Sequence, residues 1–264
     1  MKNTWKERAG PAVGGITALL LGVMAVYCSA AQPARAGERA KNEKASSAET
    51  NRWNVLLLIF KRLQAPGRPH VTLHDRDIKH AISVVDRIKR SIPAISNQLM
   101  LINNIEAHVI DKPLTSVNAD GSLNSSVYGL YDELLRKGRY DQIIAIVPSA
   151  SFRFADNVLG LGSSYRHAGY AQVALQPGGR YEHRGRKAFP ESIFVHEILH
   201  YLEMRSKAIK PNTVDLHDAP RFGYPGWNEG YLWRDWFAAY MQNKLEGGVG
   251  LDPRVYKVNR AQGK

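Results

Sequence analysis

The sequence predicts an α+β fold, in which a half that alternates strands with helices precedes a largely helical half. Three observations predict it: continuous apolar runs at 55–60 and 142–147, helix-spaced apolar residues between Asp75 and Ile92, and a helical, strongly apolar region from about 190 to 245.

Taken in order, Val55 to Phe60 reads as a strand buried on both faces, because no polar residue interrupts it. Ile78, Ile82, Val85, Ile88 and Ile92 recur every three or four residues, which predicts a helix from Asp75, with Pro93 expected to end it. A strand follows from Leu99 to Ile110, where Ile105, Ala107 and Val109 alternate with polar neighbours. Val127 to Arg136 is helical in pattern with Gly138 as its stop, and Gln142 to Val147 is a third buried strand closed by Pro148. His167 to Gln176 is a less hydrophobic strand, which suggests a sheet edge. Asn118-Ala119-Asp120-Gly121 lacks the oxygen spacing and closing Glu of a calcium loop and is expected to be a plain turn. Gly160 to Ser164 lacks the Lys of a phosphate loop and is expected to be an ordinary loop, as is the Gly- and Arg-rich stretch 178–187.

The chain has 264 residues, enough for one domain, placed at 51–264. Residues 1–36 read as a signal peptide: Lys2, Lys6 and Arg8 precede an apolar run, and Ala34-Arg35-Ala36 offers a small-x-small cleavage site. Cleavage near Ala36 would deliver the protein to the periplasm or the medium. The run is also long enough to span a bilayer, so membrane attachment is expected only if it stays uncleaved. Residues 37–50 are polar and aperiodic, as in a flexible spacer. The only cysteine, Cys28, lies in the leader, which excludes a disulfide framework, a thiolate metal site and a cysteine nucleophile from the remainder. The net charge is +12 for the chain and +9 beyond residue 36, which favours anionic partners such as an envelope surface. No nucleic-acid motif is present, and export argues against such a partner.

His196-Glu197-Ile198-Leu199-His200 matches the H-E-x-x-H pattern. Residues four apart on a helix share a face, so both imidazoles can reach one cation, while Glu197 can reach a water beside it. Pro190 suits a first turn, and Ile193, Val195, Ile198, Leu199 and Leu202 supply apolar faces to bury the helix. Catalytic Zn2+ takes three protein ligands and leaves a fourth position open. The downstream candidates for the third are Glu203, Asp215, His217, Asp218 and Glu229. Glu203 is cramped on the same helix, and a third His six residues after His200 is excluded because Ser206 stands there.

Trp227-Asn228-Glu229-Gly230-Tyr231 opens the last apolar stretch, and here the chain resembles the gluzincin metallopeptidases, the clan of thermolysin-like enzymes and zinc aminopeptidases. These carry HExxH on one helix and an Asn-Glu pair opening a second, and aminopeptidases show an Asn-Glu-Gly-aromatic version. The resemblance covers residues 190–245 and implies a zincin-like domain with a small mixed sheet, and Glu229 as the third ligand beside His196 and His200. The gap between His200 and Glu229 is longer than in the best-known members, and the exopeptidase motif is missing, so aminopeptidase action is not implied. His217 is the main rival to Glu229. His217 or Tyr224 is also a candidate to stabilise the oxyanion, and Asp235 to orient a ligand His or pair with Arg234.

The expected function is an exported zinc peptidase acting on proteins or peptides, with Glu197 as general base. By the same resemblance, substrate would add to the sheet along 168–175. The alternative is a zincin-like binding module on anionic envelope material; an acid between the two His argues against it.

Overall fold

The computed structural model describes residues 51–137, 139–150, 160–178, 191–224 and 233–258. The expected leader and spacer, Glu229 and nearly all of the stretch 178–187 lie outside the described residues. The strands are β1 (Arg52–Phe60), β2 (Arg62–Leu63), β3 (Val71–Thr72), β4 (Leu101–Ile110), β5 (Gln142–Pro148), β6 (Gly160–Tyr165) and β7 (Ala168–Leu175). The helices are α1 (Asp75–Ile95), α2 (Tyr128–Lys137), α3 (Glu191–Ile209) and α4 (Trp233–Met241). Among the described residues no helix is long and apolar enough to cross a membrane.

The main sheet has five strands in the order β4-β1-β5-β7-β6, all parallel except β6, which runs antiparallel to β7. The mixed α and β content agrees with the α+β expectation. The unbroken apolar runs fall on its centre: Leu56, Leu58, Ile143, Ala145 and Val147 face one core with α2, while Val55, Leu57, Ile59, Ile144 and Ile146 face the other with α1, α3 and α4. A strand covered on both faces has no use for alternation, which is why these runs are continuous.

α1 starts with Asp77 accepting a hydrogen bond from the His74 backbone N–H at 2.9 Å, and it does not stop at Pro93. It continues to Ile95, because both Ile92 and Ile95 are buried and the missing amide falls in the last turn. Asn97 and Gln98, both at positive φ, then turn the chain into β4. Residues 118–121 do form a plain turn, closed by Gly121 N–H to Asn118 O at 2.9 Å, with Asp120 accepting from Ser122.

Two expectations at the far side of the sheet are corrected. Residues 168–175 are not an edge: β7 lies between β5 and β6 and all eight of its residues are buried. Gly160 to Ser164 is not a loop but most of β6, the outermost strand on that side among the described residues. Its small residues have a packing reason. A Cβ on Gly162 would stand 2.3 Å from the Glu197 backbone oxygen and 2.6 Å from the His200 Cβ. The backbone of α3 therefore rests directly on β6, closer than any side chain permits.

Candidate metal centre

α3 is buried on nearly every side, by β6 and β7 below it, α1 beside it and the C-terminal segment above. Its N-terminal Glu191 is clamped by Arg87 of α1 and Arg234 of α4, each 3.3 Å away. The helix puts His196 and His200 on one face, with Nε2 atoms 3.1 Å apart. Two nitrogens on tetrahedral arms of zinc length stand about 3.3 Å apart, so this spacing suits one shared cation.

The third imidazole comes from the loop between α3 and α4. His217 lies 5.1 Å from His196 and 5.0 Å from His200, ring to ring. One nitrogen from each of the three rings falls within a set no wider than 4.8 Å, close enough to bind a metal ion. The loop holding His217 is fixed from several directions. Trp236 donates its indole N–H to Leu216 O at 3.0 Å, Tyr240 donates to Val214 O at 2.9 Å, and Val214 N–H reaches Val249 O at 3.0 Å. Ser206, six residues after His200 on α3, is fully buried and joins Thr213 at 2.7 Å and Asp252 N–H at 2.9 Å.

Electrostatics sets the three ionisable groups of α3 apart. Burial, with His200 and His217 beside it, holds the His196 imidazole well below its ordinary value, in the neutral form that ligates metals. Burial pulls His200 down too, but the Glu203 hydrogen bond and the carboxylates of Glu197, Glu203 and Asp215 outweigh it and raise its pKa. Burial pushes the Glu197 carboxyl up to about 8. A positive ion beside it favours the carboxylate form, the form that can accept a proton.

The remaining candidates divide clearly. Glu203 is 3.5 Å from His200 Nδ1, and Asp215 accepts the His217 backbone N–H and lies 2.9 Å from its Nδ1. Both stand behind the imidazoles, in the orienting role suggested for Asp235, which is exposed on α4. Asp218 faces Arg221 at 3.8 Å, and Tyr224 packs 5.6 Å from the Trp236 ring. The sequence reading treats Glu203 and Asp215 only as ligands, whereas the i, i+3 spacing from His200 and the Asp-x-His at 215–217 are the signals that point to positioning. In comparisons with protein-family models and with curated proteins, the sequence matches none.

Proposed function

We propose that this chain is a zinc-dependent peptidase of zincin type, with the metal held by His196, His200 and His217 and with Glu197 as general base. The observation that carries the reading is the convergence of three imidazole nitrogens within 4.8 Å, from two separate segments, beside a buried carboxylate. An all-nitrogen set of three leaves a fourth position open, the arrangement of catalytic rather than structural zinc. When bound, zinc supplies Lewis acidity, polarising a carbonyl and bringing the pKa of water to about 7. Glu197 takes the proton of the attacking water on its carboxylate and delivers it to the leaving amine. α3, seated on β6 and β7, keeps His196 and His200 in fixed orientation, while Asp215 fixes His217. A peptide substrate is supported by β6, which is the outermost strand on its side among the described residues, lies beside the histidines and so offers a backbone edge to an extended chain. The leader-like sequence at 1–36 supports export.

The test is zinc content and peptide-library cleavage for the wild type, Glu197→Gln, His217→Ala and Glu229→Ala. Wild type should hold a single zinc and cleave; Glu197→Gln should keep the metal and lose roughly 10²–10⁴-fold in rate; His217→Ala should lose the metal. Zinc lost in Glu229→Ala but kept in His217→Ala overturns the third ligand assigned here. Zinc held by a wild type that cuts nothing replaces the enzyme with a binding module.

A further inference from the structure

We propose that Lys207 is a positioning residue for the histidine cluster, joining the two carboxylates behind His200 and His217 so that the helix-borne and loop-borne imidazoles face one point. The inference rests on the metal-site reading above. Glu203 and Lys207 are four apart on α3 and so lie on one face. The Lys207 ammonium hydrogen-bonds Glu203 Oε1 and sits 3.6 Å from Asp215 Oδ2. The other oxygen of each carboxylate is turned to an imidazole: Glu203 Oε2 is 3.5 Å from His200 Nδ1, and Asp215 Oδ1 is 2.9 Å from His217 Nδ1. A continuous path therefore runs from His200 through Glu203, Lys207 and Asp215 to His217.

The two ends of this path have different needs. Helix geometry fixes His200 relative to His196, because they stand four positions apart on α3. No such rule places His217, which is half exposed on a loop. The bonds from Trp236 and Tyr240 grip the backbone of that loop at Leu216 and Val214, one and three residues before His217. They leave the imidazole free to turn; Asp215 sets its rotation, and Lys207 sets Asp215 against α3. Remove the ammonium, and Glu203 and Asp215 become like charges facing each other. Their repulsion moves Asp215, and with it His217, away from the helix. Carboxylates behind metal-bound His are worth about 10–100-fold in metal affinity, and Lys207 acts through two of them.

An ordinary surface ion pair predicts something else: slight loss of folding stability and no effect on metal. The experiment compares Lys207→Met and Lys207→Arg with wild type in the full chain. It reads the zinc dissociation constant by competition with a chromophoric chelator, the visible spectrum of the Co2+-loaded protein, and the melting temperature of the metal-free protein. Lys207→Met should weaken zinc binding about tenfold and alter the Co2+ spectrum, with the metal-free melting temperature nearly unchanged. Lys207→Arg, able to bridge two carboxylates, should restore both. Wild-type affinity in Lys207→Met overturns the role and leaves the metal site standing. Weakened binding matched by a fall in metal-free melting temperature, with no recovery in Lys207→Arg, also overturns it, since that is the mark of a merely structural pair. A wild type that binds no zinc removes the metal-site reading and this proposal together.

Discussion

Carboxylates in this protein answer pH differently according to what faces them. Burial raises the Glu197 carboxyl to about 8, outweighing the pull of the nearby His200 in the opposite direction. Burial acts on Glu203 as well, yet the bonds from His200 and Lys207 outweigh it and hold that carboxyl below its usual value. Asp132 on α2 is the surface case: the Arg166 guanidinium and the Tyr165 hydroxyl bring it down to about 2 from an ordinary 3.8. A carboxylate depressed in the folded state adds stability above its unfolded pKa and loses it as pH falls through the folded one. Wild type should therefore be more stable than Asp132→Asn at neutral pH, and the difference should shrink between about pH 4 and pH 2. Melting curves across that range check this; a constant difference would mean that the ion pair contributes nothing to the pH dependence.

At the scale of the element, the site depends on how closely α3 lies on β6. Gly160 and Gly162 share a face of the strand, and a Cβ at either meets Glu197. At position 160 the obstacle is the Glu197 side chain, which can shift; at 162 it is the helix backbone, which cannot. Gly162→Ala should thus cost about 1–3 kcal/mol of stability and also lower metal affinity, because the helix that recoils carries His196, Glu197 and His200. Urea unfolding and zinc titration of this variant give the two numbers. Full retention of metal affinity at reduced stability would show that α3 does not need β6 for its alignment.

Across the whole molecule, residues far apart in the chain converge on His217. Trp236 and Tyr240 of α4 and Ser206 of α3 all hold the segment 213–216. The C-terminal segment adds its own anchors, with Trp53 of β1 donating to Tyr256 O at 2.8 Å and Tyr256 donating to Met241 O at 2.6 Å. Trp236→Phe keeps most of the ring but leaves the Leu216 carbonyl without its donor. It should cost about 1–3 kcal/mol in stability and weaken zinc binding through the loop that carries His217. Chemical denaturation and chelator competition read both effects, and unchanged zinc affinity would deny α4 a part in placing His217.

The strands and helices with a strong apolar period were legible in the sequence to within a few residues, because periodicity records which faces are buried. The pair His196 and His200 with Glu197 between them was legible for the same kind of reason: one helix fixes their geometry locally. β6 was not, since its glycines and serines are chosen for what presses on them and carry no period of their own. Pro93 misled because burial of Ile95 outweighs one lost helical hydrogen bond. The third imidazole could only be a candidate among several acids and a histidine, since sequence spacing says nothing about where a loop comes to rest. The sequence by itself determined the chemistry available: no cysteine after Cys28, and two histidines one helical turn apart with a glutamate between them. Only the tertiary structure decided that His217 meets those two, because packing of α4 and the bridge from Glu203 through Lys207 to Asp215 bring together residues that no local rule connects.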